Sequence, residues 1–170
     1  MSARPKEKNA GAADRRGTTR VEGLELAKAA DQLLEECRMV LPGIQALFGF
    51  QLIAVFSQGF AGLEEGLKVL HLAATVLTAI AIALVMTPAA YHRQVSPMAV
   101  SEDFVKRSSR LLLACMFPLA ASLCVELYLV ARVVIDRSWV IAIALAAFAL
   151  FLALWVFLPA RHRRTRSLAR

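Results

Sequence analysis

Long apolar runs alternate with short polar gaps along this chain. The runs cover about residues 39–60, 67–91, 111–135 and 139–158. Each is close to the ~20 residues that an α-helix needs to cross a bilayer. Ahead of the first run the pattern is amphipathic. Leu26, Ala30, Leu33, Cys37 and Leu41 recur every three or four residues and make one apolar stripe. Lys28, Asp31, Glu35 and Arg38 share another face, where Lys28–Asp31 and Glu35–Arg38 pairs fit across a turn. Thr19-Arg20-Val21-Glu22 has the form of a capping box, which predicts a helix start at that point. The pattern therefore predicts a helix over 19–38 lying on a membrane surface. Pro42-Gly43 predicts a bend between it and the first span. Residues 1–18 show no hydrophobic period and read as a disordered tail; residues 159–170 read as a basic tail. The fold class expected is an all-α integral membrane four-helix bundle with an N-terminal amphipathic surface helix.

The gaps give an orientation. The first gap carries Glu64 and Glu65 and no basic residue before Lys68. The second holds Arg93, Lys106, Arg107 and Arg110, with Ser101-Glu102-Asp103 fitting the start of a helix that leads into the third span. The third gap is the short Asp136-Arg137-Ser138. The C-terminal tail adds Arg161, Arg163, Arg164, Arg166 and Arg170. Basic residues gather on the cytoplasmic side of membrane proteins, so both termini and the middle loop are expected inside. An even number of spans requires the termini to agree, as they do. Tyr91, Trp139 and Trp155 lie near span ends, where amphipathic rings suit the interface. The expected location is the bacterial plasma membrane.

Composition supports this reading. The 170 residues are 58% hydrophobic and 19% charged, with a formal net charge of +7. Soluble domains are less apolar and more charged, so a soluble enzyme and a disordered chain are both poor descriptions. The positive charge points to anionic lipid headgroups beside a membrane rather than to nucleic acid. The first 38 residues are too long and polar for a secretory signal, so the first apolar run is expected to persist as a span. Cys37, Cys115 and Cys124 show neither a disulfide framework nor zinc-ligand spacing. Cys115 and Cys124 lie about 13 Å apart along one helix and cannot bridge each other. No metal or cofactor is expected, and no set of nucleophile and base marks an enzyme.

The chemistry inside the spans is concentrated at Glu126, about nine residues and roughly 13 Å from the outer end of the third span. An acid at that depth is costly unless paired or protonated, and it is a functional-site candidate by default. Gln51 lies at a matching depth, His71 is shallower, and Ser122 stands one turn before Glu126. Three readings stand. Glu126 handles a proton or cation in a transport path; it holds a proton and bonds Gln51 or Ser122 as interhelical glue; or it meets water at a locally thinned surface. Thr75, Ala79, Ala83 and Thr87, and Ala142, Ala146, Ala149 and Ala153, form small-residue stripes suited to close helix packing, within the chain or in a homo-oligomer.

Two local motifs also carry a resemblance. Glu35-Glu36-Cys37-Arg38 precedes Leu41-Pro42-Gly43-Ile44-Gln45-Ala46-Leu47-Phe48, and the second span closes with Pro88-Ala89-Ala90-Tyr91-His92-Arg93. With the four-span layout, these resemble a family of small bacterial membrane proteins, common in actinobacteria, classed as a domain of unknown function. The resemblance covers roughly residues 25–158 and implies no specific activity, although some members carry a sodium–proton antiporter label. The motifs predict a cytoplasmic-face cluster of Glu35, Glu36, Arg38, His92 and Arg93, fitted to clamp adjacent helix ends or to meet a ligand or lipid headgroup. The expected function is non-enzymatic: structural, accessory or binding. The alternative is a small oligomeric ion- or proton-coupled transporter using Glu126.

Overall fold

The computed structural model of the protein describes residues 6–95, 101–135, 137–158 and 161. Its elements are helix α1 (Lys6–Ala54), the one-turn α2 (Gln58–Ala61), α3 (Glu65–Val95), α4 (Glu102–Ile135), and α5 (Ile141–Leu152). A 3₁₀ turn at Ser138–Val140 leads into α5, and a π-helical turn at Ala153–Phe157 follows it. The fold is all-helical, with no strand among the described residues. Three stretches are long and apolar enough to cross a membrane: Val21–Ala54, Glu65–Gln94 and Glu102–Ile135. Ile141–Phe157 is apolar but shorter.

The first 54 residues differ most from the expectation. A single helix runs through Thr19, where a cap was expected, and through Pro42, where a bend was expected. Residues 6–18, read as tail, share its backbone; residues 1–5 and the basic tail beyond Arg161 lie outside the described residues. Ala10, Ala12 and Ala13, with nearby Lys, Glu and Arg, are good helix formers and need no hydrophobic period to continue a helix. Pro42 removes one backbone donor, but tertiary packing on both sides of it holds the helix through. The expected surface helix and the expected first span are therefore one rod. Its charged residues pair differently too: Lys28 meets Glu25 at 4.0 Å rather than Asp31, while Glu35 and Arg38 do lie 3.7 Å apart.

The α4 start agrees with the sequence reading. Ser101 Oγ accepts from Phe104 N at 3.2 Å, with Glu102 and Asp103 in the first turn.

The core follows heptad spacing. On α1, Ala30, Cys37, Ile44 and Gln51 are buried at intervals of seven. On α3, His71, Ala74, Thr78, Ala81, Val85 and Pro88 are buried at alternating intervals of three and four. On α4 the buried row is Phe104, Ser108, Cys115, Ser122 and Leu129. A 3–4 alternation keeps a seam facing its partner along nearly parallel helices. Cys37, Ile44, Ala81, Val85 and Cys115 join across the three helices as one apolar cluster.

The expected small-residue stripes do not form these contacts. Ala79, Ala83 and Thr87 are exposed, and Thr75 is half-buried. A strict four-residue repeat drifts around the helix by about 40° per step, whereas the 3–4 row stays on the seam. Thr75 and Thr87 turn their hydroxyls back to their own helix, at His71 O (2.9 Å) and Ala83 O (2.7 Å). On α5 no residue is buried, so its alanine stripe is not packed away either.

Candidate functional site

The polar residues of α1, α3 and α4 meet at one level of the bundle, above the apolar cluster. Heptad position places Gln51 on the inner face of α1, where an apolar residue would otherwise stand. Gln51 Nε2 donates to Ser122 Oγ and to Glu126 Oε1, both at 3.0 Å. Ser122 Oγ gives its own proton to the α3 carbonyl of Ala74 at 2.9 Å. Thr78 Oγ1 lies 2.7 Å from Ser122 Oγ and 3.2 Å from Ala74 O. Thr78 shares a face of α3 with His71, and α4 brings Ser122 to it. Its signal was the 3–4 spacing that it shares with His71 and Ala74.

His71 closes the network. Its Nε2 lies 2.9 Å from the carbonyl oxygen of Gln51, and its Nδ1 lies 3.1 Å from Glu126 Oε1. A carbonyl only accepts, so Nε2 carries a hydrogen. The Nδ1–Oε1 contact is attractive only with one further proton between the two atoms. That proton sits on His71, making an imidazolium–carboxylate pair, or on Glu126, making two neutral groups. The pair is electrically neutral in both arrangements. This explains how an acid and a histidine stand together with only 19% and 6% of their side chains exposed.

Some capacity is left over. Gln51 Oε1 is buried without a hydrogen-bond partner among the described residues. Glu126 uses only Oε1 in these contacts. It lines a cleft of ≈ 280 Å³ together with His71, Ser57, Phe60 and Leu63 and the α4 residues Leu129 and Val133. Phe60, on α2, meets the His71 ring edge-on with centroids 5.1 Å apart. Ser57 caps α2 by accepting from Phe60 N at 3.2 Å, which holds Phe60 over the histidine.

The structure thus brings Gln51, His71, Ser122 and Glu126 together. It does not join the expected cytoplasmic-face cluster. Glu35 pairs with Arg38 along α1, and both side chains are exposed. The His92 ring lies tilted against Phe104 of α4 at 5.4 Å, and Tyr91 stacks on the same Phe104 at 6.0 Å. Among the described residues, no hydrogen bond or ion pair links Glu35, Glu36 or Arg38 to His92 or Arg93. The buried seam of α1 is set by Ala30 and Cys37, and this turns Glu35, Glu36 and Arg38 away from α3. All three cysteines are buried with free thiols, and Cys37 and Cys115, on different helices, share the apolar cluster. Among the described residues, no group of His, Cys, Asp and Glu is arranged to hold a metal ion.

A family model covers residues 23–159, which takes in all of the network, the cleft and the apolar cluster. The chain belongs to the family of unknown function DUF6328. No curated protein and no solved structure matches it. In this DUF6328 chain the matched segment begins within α1 and ends just past the π-helical turn, so the family's common part contains the three-helix seam and α5.

Proposed function

We propose that this chain is a non-enzymatic integral membrane protein of structural, accessory or binding type, in which the Gln51–His71–Ser122–Glu126 network fastens three spanning helices. The observation that carries the reading is the closure of the network. Each hydrogen bond from Gln51 Nε2, Ser122 and His71 ends on a neighbouring helix or on a backbone carbonyl. Lipid gives helices no hydrophobic reason to associate, so such bonds act as glue, each worth about 0.6–2 kcal/mol. Exposed apolar residues on the outer faces, such as Leu72, Val76, Ile80, Leu113 and Phe117, suit contact with lipid. Ile141–Phe157 fits a fourth, short span, and the basic end formed by Arg93, Arg107 and Arg110 fits the cytoplasmic side of a bacterial plasma membrane.

Transport is disfavoured by what lies beneath the network. The cleft at Glu126 is walled by Ser57, Phe60, Leu63 and the last turns of α4. Towards the other end the seam is filled by Cys37, Ile44, Ala81, Val85 and Cys115, an apolar plug with no titratable carboxylate or imidazole to relay a proton. Proteoliposome flux tests this. Vesicles holding the wild type are expected to dissipate an imposed proton or sodium gradient no faster than empty vesicles. A flux present in the wild type and lost in Glu126→Gln would overturn the reading.

A further inference from the structure

The network accounts for one oxygen of Glu126. The other belongs to a carboxyl that opens on an apolar cleft, and this asymmetry calls for a ligand. The walls are Phe60 and Leu63 on one side and Leu129, Val133 and Val134 on the other, with Glu126 and His71 at the base. We propose that this cleft binds a lipophilic organic cation, an onium centre carrying apolar groups, with the charge against Glu126 Oε2. The inference rests on the membrane reading above and keeps the Gln51 Nε2–Glu126 Oε1 bond of the helix-fastening network, while the His71 contact gives up its proton.

Three arguments select this ligand class. A small inorganic cation requires a shell of several oxygens, and the cleft offers a single carboxyl and the Ser57 hydroxyl among apolar side chains. An anion meets the wrong sign of charge. A neutral apolar molecule fills the walls but makes no use of the acid. An onium group surrounded by hydrocarbon matches both parts, and Phe60 adds a ring whose face attracts cations. At ≈ 280 Å³ the cleft approaches the size of small-molecule sites.

Binding is coupled to one proton. The His71–Glu126 pair is neutral while it holds its shared proton, and a cation placed beside a neutral, poorly solvated site lacks a counter-charge. When the cation enters, the shared proton leaves to solvent. Glu126 is then a carboxylate, neutral His71 keeps its Nε2 hydrogen on Gln51 O, and the occupied site is again neutral. The groups facing the carboxyl are Gln51 from α1, Phe60 from α2 and His71 from α3, so His71 is its titratable neighbour among the described residues.

Tetraphenylphosphonium, titrated calorimetrically into the full-length protein in lipid nanodiscs, provides the test. Titration in two buffers of different ionisation enthalpy reads the proton count. The expected result is saturable binding, one proton released per cation, and an affinity lowered at least about tenfold by Glu126→Gln. Tetraphenylborate, of the same shape and opposite charge, should not compete. Val133→Trp fills the cleft without touching the network and should abolish binding while leaving thermal unfolding unchanged, which keeps the test valid if Glu126→Gln folds poorly. Equal binding to wild type and Val133→Trp, or competition by tetraphenylborate, would overturn the proposal. So would the absence of saturable phosphonium binding to a wild type whose unfolding temperature falls normally on Glu126→Ala. In that last case the helix-fastening role would stand and the ligand would not.

Discussion

At the scale of the residue, the informative fact is that Glu126 Oε1 serves two neighbours at once. It accepts from Gln51 Nε2 and shares a proton with His71 Nδ1. Removing the carboxyl leaves Gln51 and His71 short of partners in a buried setting, while removing the imidazole leaves the acid with Gln51 as its one partner in the network. Each single truncation then costs more than the bond itself, because a stranded polar group carries its full desolvation penalty of about 1–3 kcal/mol. The two losses should not add. In a double-mutant cycle of His71→Ala and Glu126→Ala, read from reversible unfolding in detergent, the expected coupling energy is about 0.5–3 kcal/mol. Additive losses would show that the two side chains act independently. Much of this site was legible in the sequence, because an acid inside an apolar run has few ways to be tolerated and Gln51 shared its depth. Thr78 was less visible. Thr75, Thr78 and Thr87 can each bond a carbonyl of their own helix, and only Thr78 meets Ser122 of the facing helix.

At the scale of the element, the lesson lies in the difference between spacing four and spacing three-and-four. Ala81 is fully buried on the α3 seam, whereas Ala79, one member of the small-residue stripe, is exposed. Adding three carbons at each position separates the two patterns. Ala81→Leu overpacks the cluster of Cys37, Ile44, Val85 and Cys115, and should destabilise the fold by about 1–3 kcal/mol. Ala79→Leu should be nearly neutral, because its side chain points away from the helical neighbours. Denaturation of the two variants side by side checks this, and the reverse order would assign the packing surface to the stripe. The same distinction explains why the helix-level reading was partly wrong. Apolar content located the runs and Ser101-Glu102-Asp103 the start of α4, but periodicity within an almost wholly apolar run hardly shows which face is inside. Pro42 misled for a related reason. Its local cost is real, but it is outweighed when a seam of Ala30, Cys37, Ile44 and Gln51 is held on both sides of it.

At the scale of the molecule, the continuous α1 changes what a membrane must accommodate. The 34 residues of Val21–Ala54 span about 50 Å as a helix, well beyond a hydrocarbon core of about 30 Å. The excess falls at the charged end. Glu22, Glu25, Lys28, Asp31, Glu35, Glu36 and Arg38 all precede the apolar stretch that begins at Met39. Close by, Leu26 and Glu102 line one surface cleft, so residues 21–26 of α1 and the start of α4 lie at the same end. The proposed arrangement is then a helical stalk on the side of the basic residues, with the Glu126 cleft near the opposite surface. The three cysteines are buried, which gives a nearly silent background for labelling introduced thiols in intact cells. Gln94→Cys and Ser57→Cys replace exposed, uncharged residues at opposite ends of the bundle and leave the basic count unchanged. With a membrane-impermeant maleimide, Ser57→Cys should label in intact cells, and Gln94→Cys only after the membrane is opened. The opposite pattern would place the cleft inside the cell and invert the orientation inferred from charge. Labelling of both in intact cells would remove α3 from the membrane altogether, because these two positions bracket its whole apolar length.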